Sequence, residues 1–498
     1  MRFVVAGLLG LLVPGAGHFY LGQRRIGLVF LLPFLALVVV VVAIYGIGGA
    51  TGLLEVAVTP GVLPALAVLN IALAAWRILS GVHAARRSQD RVSRPDWRNQ
   101  GRRSRGTERT GLAIGAFAVA VFALVLVPHL VAGVYIASTS DFLDSTFGNG
   151  SNDGTPGPTE PNDAPLASGW LEGDGDLGPG MTPRPYVAPT ATPFVPYVGT
   201  LPSLNVAVPW DRPGAIPWGN DGRFDLLLLG SDAGTGRWSR RMDVMLLVEI
   251  DVNTGAVAMI GLPRNLVNAP FPPGAAHDAV ACGCFTDLLN ALYVEATSRH
   301  PDRWPGSGAV KGIGAVRSVV SYLTGRPIDA VLVADLVGVI KVVDAMGGVD
   351  INVPASVTDS HYPDPIVGTT SLYIPAGEQH FDGRMALAYA RSRHQDSDYA
   401  RMARQQTLLL AIRSQIGAQT ILDAPALFTA AKGMTWTDLP RSSLPALVDL
   451  FAKAAHASVK QLRIVPSKYP EDLTTSEITR IRSDIAALLG VPVPPAPT

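Results

Sequence analysis

The chain has 498 residues, with 40 lysines and arginines balanced by 40 aspartates and glutamates, so its formal charge is zero. That balance excludes an overall basic footprint for nucleic acid. Hydrophobic residues make up 48%, charged residues only 16%, and mean hydropathy is +0.28; such a composition points to membrane segments.

The apolar sequence is concentrated in residues 1–137. Gly27 to Gly48, Gly61 to Val82 and Gly111 to Tyr135 are three stretches long enough for a bilayer core, which needs about 20 residues. Phe3 to Val13 is too short to span. No small-residue cleavage site follows it, so an uncleaved helix or half-helix is expected, giving three to four transmembrane or re-entrant helices. Nine arginines against three acids lie between His83 and Thr110, and Arg24 and Arg25 sit just before the Gly27 to Gly48 segment. The positive-inside rule places both clusters in the cytoplasm and carries everything after about residue 138 outside. The expected location is therefore the cell membrane, multi-pass, with the main domain extracytoplasmic.

Residues 138–221 read as a linker. Ser151 to Asn220 holds 14 prolines among glycine, aspartate, serine and threonine. Such composition cannot bury enough apolar surface to order itself, and it suits an extracytoplasmic stalk.

Residues 222–490 read as a globular domain, followed by a disordered tail at 491–498. Phe224 to Leu229 predicts a buried strand, and Val244 to Val252 with Ala256 to Leu262 predicts a hairpin around Asn253-Thr254-Gly255. Ala330 to Ala334, Val349 to Val353 and Gln461 to Val465 predict further strands. Helices are expected at Leu336 to Met346, Met385 to Ala390, Asp398 to about Gly417, Leu444 to Ala457 and Thr475 to Leu489, the last with Ser or Thr as N-cap. Mixed strands and helices indicate an α/β class, an α/β/α layered domain with a mixed central sheet.

Polar residues cluster at the strand ends, where α/β proteins place chemistry. Asp232 follows the first strand, and Arg241 and Asp243 open the second. Two carboxylates there suit one Mg²⁺, which takes one or two carboxylates plus phosphate oxygens; two solvated turn aspartates would give the same spacing. Arg264 follows the third strand, and Arg391 and Arg393 follow a helix. Asp398, Arg401 and Gln405 share one helix face, with Arg404 beside them. Arginine forks and two acids fit a pyrophosphate with a metal, although surface ion pairs remain the plainer account of any single arginine. No phosphate-loop motif, zincin motif or nucleophile elbow is present. Cys282 and Cys284 are the only cysteines, and they form either a small disulfide or two free thiols.

In this order, Leu229-Gly230-Ser231-Asp232, Arg241-Met242-Asp243, Leu262-Pro263-Arg264, Leu289-Asn290-Ala291-Leu292-Tyr293, Asp344 to Asp350, Ala376 to Gly383, and the Arg391-Ser392-Arg393 to Gln405 stretch resemble the LytR–CpsA–Psr family of cell-envelope proteins. The resemblance implies a membrane-anchored phosphotransferase that moves a teichoic-acid-like glycopolymer from a polyprenyl diphosphate carrier to peptidoglycan or another cell-wall acceptor. It implies Mg²⁺ held at Asp232 and Asp243, and a pyrophosphate gripped by Arg241, Arg264, Arg391 and Arg393. Arg401 and Gln405, with Arg404 nearby, line the same site in that reading. Asp398 is either the base for the attacking hydroxyl or an orienting group for an arginine. Departures are Met242, Val244 and Asn265, where the family commonly has Ser, Thr and Asp. A polyprenyl-pyrophosphate hydrolase, or a non-enzymatic envelope regulator binding prenyl phosphate lipids, stands as an alternative. The Pro14 to Gly22 segment resembles small membrane modules of unknown role.

Overall fold

The computed structural model describes residues 2–92, 107–148, 217–219, 221–231, 241–306, 308–364, 368–392, 397–415, 424–432, 435–466 and 468–494. Most of the expected linker, the last four residues of the expected tail, Asp232 and Arg393 lie outside these ranges. The chain divides into two compact units, residues 1–140 and 141–498.

The first unit is helical: α1 (Arg2–Leu12), α2 (Ala16–Tyr20), α3 (Arg24–Val58), α4 (Val62–Val92) and most of α5 (Thr107–Thr146). Among the described residues, three segments are long and apolar enough to cross a membrane: Arg24–Val58, Val62–Ser88 and Ala123–Thr146. At 11 residues, α1 is about 16 Å long, half a bilayer core. It lies antiparallel against α4 through glycines. A Cβ on Gly81 would stand 2.7 Å from Leu11 Cγ and 2.9 Å from the Gly7 carbonyl oxygen. Small residues at such an interface let backbones close in, which is how helices associate without a hydrophobic drive.

The second unit is built on a seven-stranded mixed sheet. Its strands are β1 (Phe147–Gly148), β2 (Arg223–Ser231), β3 (Met242–Asp251), β4 (Val257–Leu262), β5 (Ala330–Asp335), β6 (Thr435–Pro440) and β7 (Val459–Arg463). They lie in the order β1-β6-β5-β2-β3-β4-β7. The expected hairpin is present as antiparallel β3 and β4, whereas β2 with β5 and β4 with β7 are parallel. β6 was not apparent in the sequence, because Thr435–Pro440 is short, polar and ends in proline.

Alternate residues of the strands feed two cores. Leu227, Leu229, Met245 and Leu247 pack on one face with α6 (Gly308–Thr324) and the C-terminal helix Thr475–Leu489. Phe224, Leu226 and Ile250 pack on the other with Leu447 and Leu450 of Leu444–His456. A third core gathers α7 (Leu336–Ala345), α8 (Gly383–Arg391) and the strands Val349–Val353, Val357–Asp364, Gly368–Ile374 and Gly377–Phe381. Helices on both faces of a mixed sheet make the domain α/β/α, as expected. Thr474 is the N-cap of the last helix, but its side chain makes no cap hydrogen bond. Cys282 and Cys284 are joined in a disulfide.

Candidate functional site

The site is set by strand register. Met245 pairs with Leu262 across β3 and β4. Continuing the antiparallel ladder two residues beyond that pair brings Asp243 opposite Arg264, where cross-strand side chains meet. Arg264 Nη1 donates to Asp243 Oδ1 at 2.8 Å. Asn290, in the short turn Leu289–Ala291, donates to the same oxygen at 2.9 Å. Burial pushes the Asp243 carboxyl up, but the charge of Arg264 and the hydrogen bonds from Arg264 and Asn290 outweigh it and hold it below the usual carboxylate range. Asp243 is therefore an anion at neutral pH.

A second element closes the site from above. α9 (Asp398–Gln415) begins with Asp398, where the helix dipole favours a carboxylate. Asp398 Oδ1 accepts from Arg264 Nε at 3.2 Å, and Oδ2 accepts from Arg401 Nη2 at 3.0 Å. Arg401 Nη2 also donates to the Asp243 carbonyl at 3.3 Å. The helix lies this close to the sheet because β4 carries Gly261, where a Cβ would stand 2.7 Å from Met402 Sδ. Arg401 is 6% exposed and its Nε has no hydrogen-bond partner. Burial lowers its pKa, Asp398 raises it, and Arg264 lowers it again, for a net downward shift.

The structure thus brings Asp243, Arg264, Asp398 and Arg401 together. Arg391 is near enough to act on Arg401 electrostatically, and its Nη1 donates to the Pro363 carbonyl at 3.1 Å. Arg241 acts in the same way on Asp287. Arg404 and Gln405 turn to the end of α8 instead. Arg404 is buried, with Nε donating to the Tyr389 carbonyl at 2.9 Å and Nη2 to that of Ser392. Gln405 Nε2 donates to the Ala390 carbonyl at 3.4 Å. Asp232 and Arg393 fall outside the described residues.

Two groups at the site were not singled out from sequence. Asn290 braces Asp243, and its Oδ1 is buried without a partner. Glu471 accepts from Asn265 Nδ2 at 2.5 Å and from the Tyr399 hydroxyl. These bonds fasten the residues that follow Arg264 and Asp398. Asn290 lies within one of the motifs above; Glu471 sits in a loop 206 positions after Asn265 and 72 after Tyr399, and no local signal marks it.

The sequence pattern of the LytR_cpsA_psr family matches residues 210–478, more than half the chain. The chain belongs to this family. Among relatives, the cell wall biosynthesis protein LcpA of Corynebacterium glutamicum is 24% identical over 230 residues, 42% of this chain and 43% of LcpA. The regulatory protein MsrR of Staphylococcus aureus is 24% identical over 264 residues, 52% of this chain and 70% of MsrR. Biofilm regulatory protein A of Streptococcus mutans is 25% identical over 288 residues, 54% of this chain and 64% of that protein. The match thus spans less than half the length of LcpA. Among solved structures, TagV of B. subtilis aligns with 55% of this chain and all of its own, at 20% identity and a TM-score of 0.40. TagT bound to LIIa-WTA aligns with 54% of this chain and 92% of its own, at 21% identity and a TM-score of 0.37.

Proposed function

We propose that this LytR_cpsA_psr protein is a membrane-anchored phosphotransferase that moves a glycopolymer from a polyprenyl diphosphate carrier to peptidoglycan or another cell-wall acceptor. The observation that carries the reading is the Arg264 guanidinium bridging Asp243 and Asp398, with Arg401 behind it. Cations from separate elements converging on one strand end suit a pyrophosphate, because phosphoryl transfer depends on positioning and charge neutralisation more than on covalent help. The name of LcpA, a cell wall biosynthesis protein, points the same way. In this reading three N-terminal spans hold the chain in the cell membrane, and the family domain faces outward.

Mg²⁺ fits the donor set. Asp243 is ionised and Asn290 Oδ1 is an unpartnered hard oxygen. Among the described residues no group of three or more His, Cys, Asp or Glu is gathered; Mg²⁺ takes one or two carboxylates and completes its shell with phosphate oxygens and water. Asp243, with Asp232 as the second expected carboxylate, would hold the ion, which when bound would neutralise charge on the transferring phosphate. Arg264 and Arg401 orient the phosphates and take up charge at the leaving lipid phosphate. Asp398 holds those two arginines in place.

The test uses the full chain with geranylgeranyl diphosphate and Mg²⁺, following phosphate release and bound lipid for wild type, Asp243→Ala and Arg391→Ala. Mg²⁺-dependent cleavage lost in both variants supports the reading, and an acceptor screen then separates transfer from hydrolysis. Tight lipid binding without turnover, unchanged in Asp243→Ala, would overturn it in favour of a lipid-binding regulator.

A further inference from the structure

Arg77 stands fifteen residues after Val62 and eleven before Ser88, near the middle of a helix long and apolar enough to cross a bilayer. A charged side chain at that depth is costly and by default marks a site. Residues 1–88 contain one acidic residue, Glu55, close to the α3–α4 turn and so about 18 Å from Arg77 along the helix axis. Arg77 Nη2 donates to the Leu12 carbonyl at 2.8 Å, closing the end of α1. Its guanidinium carbon lies 5.8 Å from the Phe34 ring centroid. Its Nε is buried without a hydrogen-bond partner.

His129 of α5 supplies a second unused atom. Its Nδ1 lies 2.7 Å from Asn70 Oδ1, and Asn70 Nδ2 donates to the His129 carbonyl at 2.8 Å. An amide oxygen only accepts, so His129 Nδ1 carries the proton and the neutral ring presents a lone pair at Nε2. That Nε2 is likewise buried without a partner. Asn70 and Arg77 are seven residues apart on α4, so they share a face, and Arg77 is near enough to His129 to act on it electrostatically. Both residues are half-buried.

One fixed cation with an N–H to give, beside an imidazole with a lone pair to give, is complementary to a group carrying both P–O⁻ and P–OH. A phosphate monoester has both; a phosphodiester lacks the P–OH. We propose that Arg77 and His129 form an intramembrane site for the headgroup of a lipid phosphate monoester. Arg77 Nε donates to the anionic oxygen, His129 Nε2 accepts from the P–OH, and Asn70 holds the imidazole tautomer. The choice of lipid rests on the proposed transfer, whose leaving group is a polyprenyl monophosphate; the site rests only on these three side chains.

The experiment counts geranylgeranyl monophosphate on the full chain by native mass spectrometry, with titration for affinity. Wild type is expected to bind two molecules, and Arg264→Ala, which removes the site in the second unit, one. Adding Arg77→Gln or His129→Leu to Arg264→Ala is expected to weaken the remaining binding at least tenfold. Geranylgeraniol, phosphatidylglycerol and inorganic phosphate should not displace it at equal concentration. His129→Leu leaves the Arg77–Leu12 strut intact, so it decides the matter if Arg77→Gln fails to fold. Unchanged affinity in His129→Leu, or equal competition by phosphatidylglycerol or inorganic phosphate, would overturn the proposal. Loss of all binding in Arg264→Ala alone would also overturn it. A single molecule on wild type, lost with His129→Leu and kept with Arg264→Ala, would instead overturn the polyprenyl reading of the second unit and leave this site standing.

Discussion

Arg264 Nε and Asp398 Oδ1 lie 3.2 Å apart, and the other oxygen of Asp398 accepts from Arg401 at 3.0 Å. Both oxygens are thus committed to guanidinium groups, which suits an orienting carboxylate better than a general base that must hold a lone pair ready for a hydroxyl. Asp398→Asn keeps the shape and loses the charge. We expect kcat/KM to fall roughly 10- to 100-fold, about 1.4–2.7 kcal/mol, with the pH–rate profile keeping its acid limb. A profile that loses that limb would restore Asp398 as the base.

Arg404 and Arg391 come from the same stretch of sequence but do different things. Arg404 is buried and spends its donors on the carbonyls of Tyr389 and Ser392. Removing it leaves buried acceptors unmet, at about 1–3 kcal/mol. Arg404→Ala should therefore lower Tm while changing KM little in the fraction that remains folded. Arg391→Ala should leave Tm within about 2 °C, since an exposed pairing contributes little, and lose turnover. Thermal melts read beside initial rates decide between these roles.

How much of this was legible in the sequence follows from where each signal lies. Asp243 and Arg264 were readable because two apolar runs around Asn253-Thr254-Gly255 announce a hairpin, and a hairpin's open end brings its flanking residues together. Arg401 was readable from its three-residue spacing after Asp398. Arg404 was not separable from Arg401 by spacing, because a helix face does not say which arginine reaches the Asp398 carboxylate and which reaches the carbonyls of Tyr389 and Ser392. Glu471 was invisible, since its partners Asn265 and Tyr399 are brought to it only by the tertiary fold. Helix α6 was missed because Gly308, Gly312 and Gly314 weaken its helical pattern.

Gly261 is a small residue on which the site depends. Its missing side chain lets Met402 and Gln406 of α9 lie on β4, and a Cβ there would stand 2.7 Å from Met402 Sδ, 3.0 Å from its Cγ and 3.2 Å from Gln406 Nε2. Methionine is flexible and can yield in part. Gly261→Ala is expected to cost about 1–3 kcal/mol by overpacking and to lift the helix that carries Asp398 and Arg401. A loss of kcat larger than the loss of Tm explains is the expected result. The double variant Gly261→Ala, Met402→Ala should recover part of it. Wild-type kcat in Gly261→Ala would show that α9 tolerates the shift.

The far end of the sheet carries a pH-dependent load. Asp225 and Glu249 face each other across β2 and β3, fully buried, with Arg326 2.9 Å from one and 3.2 Å from the other. Burial, then the charge of Glu249, pushes Asp225 up to about 9. Burial also raises Glu249. It pushes Asp329, whose Oδ2 accepts from the Asp225 backbone N–H at 2.8 Å, up to about 7. A raised folded pKa means the native state keeps protons that the unfolded chain has released above about pH 4. The stability those protons supply is present in full at low pH and is lost as pH rises through about 7 and then about 9, at most about 1.4 kcal/mol per pH unit for each proton. The full chain should therefore melt at lower temperature at pH 9.5 than at pH 6. Asp225→Asn, which needs no proton to stay neutral, should flatten the upper half of that fall. A melting temperature unchanged across this range in wild type would show that Arg326 keeps both carboxylates ionised.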